Sequence, residues 1–235
     1  MASSVVDICN LALARLGDRA TVASIDPPEG SAQADHCARF YPIARDVALE
    51  AHSWGFNTVR TSAPAVLVNP QPGWSFAYAK PDDCLRVLKV IRGSFANEWW
   101  AIPSEQFTRE TEEMTGTEIV LTNVENATLV YQRTVEDTAA FPPQFVSALA
   151  WLLASYLAGP VVKGDAGRKA GQACYNAWLT ESGKAATMDA NQSKTRRQYQ
   201  PEGMRARGYG GCTIPDAPIA GPYGFYAYPA GPGQN

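Results

Sequence analysis

Apolar positions recur with a helical period at both ends of the chain and with a two-residue period in its middle. Near the N-terminus Ile8, Leu11, Ala12 and Leu16, with Arg15 among them, recur at helical spacing. "SVVD" fits a capping box, with Ser4 as cap and Asp7 reaching back, and Gly17 supplies a stop. A helix is therefore predicted over about 4–17. After the loop "DRATVASIDPPEG" a second helix is predicted over about 31–52, with Ala34, Cys37, Ala38, Tyr41, Val47, Ala48 and Ala51 as one small-residue stripe. Pro42 removes one backbone bond and is expected to kink or interrupt it. At "SWGF" the pattern breaks, and Asn57 to Arg60 reads as strand. Trp54 and Phe56, either side of Gly55, are expected to cap the helix pair and seal it to the β-rich part. Contact with neighbouring subunits is their second reading.

The middle alternates. "SFAYAK" and "CLRVLKVIRG" read as strands, and "EIVLTN" and "ATLVYQRTV" as a hairpin pair around Val124-Glu125-Asn126. "NPQPGW" and "AKPDD" are turns, with Asp82 and Asp83 shaping the second. Phe141-Pro142-Pro143 opens a third helix over about 142–158, apolar nearly all round and so expected to be buried on most sides. Its richest window, "FVSALAWLLASYLAG", is expected to end at Gly159-Pro160, short of the run of about 18 residues that spans a bilayer. A fourth helix follows over about 165–188, with Ala170, Ala173, Cys174, Ala177, Trp178 and Glu181 on its inner face. The fold class expected is α+β: a four-helix element with a small antiparallel β-sheet domain inserted over about 56–135, together forming a body of residues 1–189.

Beyond it lies an arm, residues 190–235, in which periodicity is lost. Residues 201–235 hold 8 glycines and 6 prolines, so the segment cannot build its own core. Charge divides the same way. Residues 1–189 carry 15 Lys+Arg against 21 Asp+Glu (−6), whereas residues 190–235 carry 5 against 2 (+3). Holding 35 such residues still costs on the order of 35–70 kcal/mol, which asks for about 1,400–2,800 Å² of apolar burial. That is the area of a protein–protein interface. The arm is therefore expected to be pinned by other chains. Tyr209, Tyr223, Phe225, Tyr226 and Tyr228 would supply contact area, while Lys194, Arg196, Arg197, Arg205 and Arg207 would dock on an acidic neighbour or bind DNA.

Little in the chain points to chemistry. Cys9, Cys37, Cys84, Cys174 and Cys212 are widely spaced and odd in number, supplying neither a disulfide framework nor a zinc site, and those in helices read as core residues. His36 and His52 are sixteen residues apart on one helix and read as structural. No P-loop, G-x-S-x-G, G-x-G-x-x-G or H-E-x-x-H occurs, and "GYGGC" follows no strand. No cofactor, metal or catalytic group is expected. The enzymatic alternative is a peptidoglycan-degrading glycosidase using a pair drawn from Glu110, Glu112, Glu113 and Glu118, although "RETEEMTGTE" reads as a solvated loop. A stand-alone protein-binding module is the other alternative. The N-terminus lacks the positive region of a signal peptide, so synthesis in a cytoplasm is expected.

Four stretches, in order, resemble the tail tubular protein A family, the head-to-tail adaptors of short-tailed bacteriophages. They are "DICNLALARLGD", "ADHCARFYPIARDVALEAHSWGFN", "WSFAYAKPDDCLRVLKV" and "FPPQFVSALAWLLASYLAGPV", which span most of residues 4–188. The resemblance implies a structural protein of the virion neck: a ring, usually of twelve subunits, between the portal protein and the tail nozzle (tail tubular protein B), with tail fibres as possible neighbours. Double-stranded DNA would pass through it during ejection without sequence recognition and without a membrane. An acidic lumen would keep phosphates from sticking within a screening length of about 8 Å. Glu110, Glu112, Glu113, Asp18 and Asp26 are candidates to line it.

Overall fold

A computed structural model describes residues 4–19, 21–62, 72–92, 104–112 and 116–192. Glu113, Cys212 and the arm residues from Lys194 to Tyr228 lie outside the described residues, and with them the arm's expected docking. Among the described residues there are four long helices, α1 (Val5–Arg15), α2 (Ala32–Glu50), α3 (Pro143–Val162) and α4 (Gly164–Gln192), with six strands between α2 and α3 in the chain. The chain is thus α+β, as its periodicity predicts.

α1 starts where the capping box places it. Asp7 N–H donates to Ser4 Oγ at 3.1 Å, and Ser4 N–H donates to the Asp7 carboxylate at 2.9 Å. It stops at Gly17, whose φ of 78° lets its own N–H reach Ala14 and the Asp18 N–H reach Leu13. α2 runs unbroken through Pro42. That proline is exposed, so its missing bond faces water, while buried Cys37, Tyr41, Ala44 and Ala48 hold both halves against the core. The predicted stripe needs correction at its end, since Ala44 and Leu49 are buried whereas Val47 and Ala51 are exposed.

α3 is the central helix, with ten buried residues from Phe145 to Ala158, and α1, α2 and α4 all pack on it. It continues past Gly159 and Pro160 to Val162, four residues beyond the expected end. It is 20 residues long, with an 18-residue window of mean hydropathy 1.8, so it is long and apolar enough to cross a membrane, but 56% of that window is buried within the bundle. α4 packs tightly on it, because Gly167 faces the Ala158 carbonyl where a β-carbon would collide, and Gly171 lies close to Ser155 and Ala158. Its buried line is Gly167, Cys174, Trp178 and Ala185; Ala173, expected inside, is exposed. α4 also reaches Gln192, so the first three residues assigned to the arm are helical.

Among the described residues the insertion holds two three-stranded antiparallel sheets. β1 (Thr58–Ser62), β6 (Ala127–Arg133) and β3 (Cys84–Arg92) form one, in the order β1-β6-β3. β2 (Phe76–Ala79), β5 (Glu118–Thr122) and β4 (Phe107–Thr111) form the other, in the order β2-β5-β4. The expected β5–β6 hairpin does not form, because each of these strands is the centre of a different sheet. Inward residues of both sheets, among them Tyr78, Val120, Val87, Val90, Leu129 and Tyr131, make one apolar cluster. The crossover between β5 and β6 is fastened by Tyr78, whose hydroxyl donates to the Val124 carbonyl at 2.8 Å and accepts from the Ala127 N–H at 3.3 Å. Two runs that each look like one half of a hairpin instead belong to two different sheets.

Candidate interaction surfaces

The helix exit is where the two halves of the molecule are joined. The last carbonyls of any α-helix lack intrahelical donors and need partners once they are buried. Here the Trp54 indole N–H donates to the Ala48 carbonyl at 2.9 Å. Gln132 of β6 donates through Nε2 to the Leu49 carbonyl at 3.0 Å and also to that of His52, and Asn57 Nδ2 reaches Leu49 at 3.4 Å. Gln132 and Asn57 are completely buried, so two polar side chains inside an apolar junction are held there by helix carbonyls. The aromatics close the same point. Trp54 meets Phe145 edge-on at 5.2 Å, and Phe56 meets Phe145 at 5.1 Å and Phe141 at 5.9 Å. Trp54 is 2% exposed and Phe56 packs against the helical core. Both pack on the helical core at the point where the chain leaves α2 for β1.

Beside this seam opens a cleft of about 220 Å³, walled by Trp54, Pro142, Phe145, Met188 and Gln192 and by the Asp189 carboxylate. Asp189 accepts the Gly55 N–H at 3.0 Å and lies 3.8 Å from His52 Nε2, tying the last turns of α4 to the α2 exit. His36, by contrast, stacks on Phe40 at 6.4 Å. The two histidines share no site.

Two apolar ridges face outward. Ile43 and Val47 are 53% and 38% exposed on α2, in line with Phe40, which packs on Tyr156 of α3 at 6.4 Å. Tyr175 and Leu179 are 40% and 51% exposed one turn apart on α4. Sequence reasoning assigned Val47 to the core and passed over the rest. The signal it missed is the spacing of Phe40, Ile43 and Val47, which forms a second stripe rotated away from the buried one.

Among the described residues Glu110 and Glu118 do not form a carboxylate pair. Within 109–118, read from sequence as a loop, residues 109–111 belong to β4 and Glu118 to β5, with Glu110 opposite Ile119 and Thr111 opposite Glu118. Alternation along the strands puts Glu110 and Glu118 on opposite faces. Lys80 bonds Glu118 and holds its carboxyl below the usual range, whereas a general acid needs it raised. Asp18 and Asp26 stand on the α1–α2 connection, and Glu112 continues the hairpin. Cys9, Cys37, Cys84 and Cys174 are all buried free thiols; the hydrogen bond that Cys9 donates to Cys37, with burial, pushes the Cys9 thiol up. Among the described residues no group of three or more His, Cys, Asp or Glu is arranged to hold a metal ion.

Arg15 is a further fixture that its helical position alone does not reveal. Its guanidinium donates to the Ser147 carbonyl at 2.7 Å and Ser147 Oγ at 3.1 Å, and it lies 4.2 Å over the Trp151 ring. It clamps α1 onto α3. No protein-family model matches this sequence, and no curated protein matches it.

Proposed function

We propose that this chain is a structural head-to-tail adaptor of a bacteriophage virion, which assembles into a ring between portal protein and tail nozzle through which DNA passes. The observation that carries the reading is where the four family-like stretches fall. They supply α1, α2 with its aromatic exit and α3, which share one helical core, and the β2–β3 segment, which contributes to the apolar cluster of the sheets. The exposed ridges support it physically. A closed ring joins each subunit to two neighbours through two different patches, and Ile43–Val47 and Tyr175–Leu179 lie on different helices. The arm beyond α4 is assigned to binding neighbouring chains.

Native mass spectrometry and electron microscopy of the purified chain test this. A ring of about a dozen copies is expected from the resemblance, reduced to monomer by Ile43→Asp or Leu179→Asp with circular dichroism unchanged. Removing residues 194–235 should leave a folded body with weakened neck assembly. A wild-type chain that stays monomeric and binds no portal would overturn the reading.

A further inference from the structure

The cleft between the α2 exit and the end of α4 is apolar except at one point. Trp54, Phe145 and Ala185 are buried at its base, while Pro143, Gln144, Met188 and Gln192 stand exposed around its mouth. Its walls are already fixed. The Trp54 indole is bonded to the Ala48 carbonyl, Phe145 meets Phe141 edge-on at 4.9 Å, and the Gly55 N–H holds the Asp189 carboxylate. At about 220 Å³ the space falls below the roughly 300 Å³ at which pockets for drug-sized molecules begin. It suits one long side chain.

Asp189 is the exception. It is the one acidic or basic side chain among the described residues that line the cleft, and it is 16% exposed. A carboxylate so far out of water needs donors, and its two oxygens offer about four acceptor sites. A single donor, the Gly55 N–H, is shared between them at 3.0 and 3.3 Å. His52 Nε2, at 3.8 Å, stands beyond hydrogen-bond distance. Acceptor capacity for a cation therefore remains beside an apolar wall. Met188, 51% exposed at the mouth, adds the adaptable thioether contact common on surfaces that take peptides.

We infer that the cleft receives a lysine or arginine side chain from residues 194–207 in the arm of a neighbouring copy. The methylene stem lies along Trp54 and Met188 and the cation pairs with Asp189, so both ends of an amphipathic side chain are matched. A purely apolar occupant would leave the carboxylate buried with one donor, and an anion would meet like charge. A free amine would leave the exposed rim bare, whereas a peptide covers cleft and rim together. All five Lys and Arg residues of the arm, Lys194, Arg196, Arg197, Arg205 and Arg207, fall in this segment. Its length allows an extended reach of about 50 Å from the end of α4, enough to meet an adjacent copy. The inference rests on the reading that the arm binds neighbouring chains, and it gives that arm an address on the body.

The test is fluorescence anisotropy of a labelled peptide of residues 193–207, titrated with the full chain carrying K194Q/R196Q/R197Q/R205Q/R207Q, so that only the probe supplies arm cations. Saturable binding is expected. D189N removes the charge but keeps an oxygen for the Gly55 N–H, and should weaken binding about tenfold or more, as the loss of a hydrogen bond between charged groups does. M188A, on the exposed rim, should weaken it by about fourfold, the worth of one buried CH₂, and stays readable if D189N unfolds. A peptide with all five cations changed to Gln should not bind. The inference is overturned if binding is absent, if D189N binds as tightly as its parent, or if the neutral peptide binds equally well. Triarginine binding as tightly overturns the arm as occupant. If the peptide ignores the cleft while removal of residues 194–235 still weakens neck assembly, the arm reading stands and only this address falls. A chain that is monomeric by native mass spectrometry, yet binds the peptide in this cleft, sinks only the ring.

Discussion

Replacing Trp54 by alanine removes a side chain that does two jobs at one point. Its indole N–H is the donor for the Ala48 carbonyl at 2.9 Å, and its rings fill the space between His52 at 4.9 Å, Phe145 at 5.2 Å and Phe56 at 6.1 Å. Truncating a buried aromatic costs about 3–5 kcal/mol, since lost burial and the cavity left behind add together. Trp54→Phe separates the two jobs. It keeps most of the ring contact but strands the Ala48 carbonyl, at about 1–3 kcal/mol. Stability of a domain this size is about 5–15 kcal/mol, so Trp54→Ala should still fold but only narrowly. Urea unfolding followed by far-ultraviolet circular dichroism reads both, with the midpoint falling in the order wild type, Phe, Ala and the slope unchanged. A cost under about 1 kcal/mol for the alanine variant would refute the account of the junction, because a 2%-exposed indole in a real seam cannot be that dispensable.

The approach of α4 to α3 should be as sensitive. A β-carbon on Gly167 would lie 2.8 Å from the Ala158 carbonyl oxygen, so Gly167→Ala is expected to cost about 1–3 kcal/mol in the same unfolding assay. Gly183 on the same helix has nothing within 4 Å, and Gly183→Ala should instead stabilise by about 0.5–1 kcal/mol. The N-terminal cap predicts a pH effect. Hydrogen bonds from Ser4 hold the Asp7 carboxyl below its ordinary value, so its contribution is complete above about pH 3.9 and disappears as pH falls through the lower folded value. Asp7→Asn should remove that component from the acid limb of a stability–pH curve, and identical limbs would count against the capping box.

Helix positions were legible because their causes are local. Ser4 and Asp7 meet three residues apart, Gly17 takes its positive φ within one turn, and Pro143 suits a first helical turn wherever the helix later goes. The aromatic exit was legible for a related reason, since two large rings beside a glycine have few places to go other than a seam. The stripes were less secure. Val47 and Ala44 are both apolar, and which one is covered depends on how α3 lies beside α2.

The β region marks the boundary most clearly. Alternation alone identifies β2, β3, β5 and β6 as strands, because side-chain period is a property of each strand alone. It says nothing of partners, and β5 and β6, near neighbours in sequence, parted into different sheets once Tyr78 held the crossover between them. The burial of Gln132 and Asn57 is likewise explicable only when α2 brings its last carbonyls over β6. The cleft beside Asp189 exists only because the last turns of α4 return to the α2 exit. The sequence alone determined class, element order and local caps, which depend on neighbours within a few residues. Pairing, register and the placing of a carboxylate beside an apolar cleft were decided by the tertiary structure, because each depends on which distant backbone lies alongside.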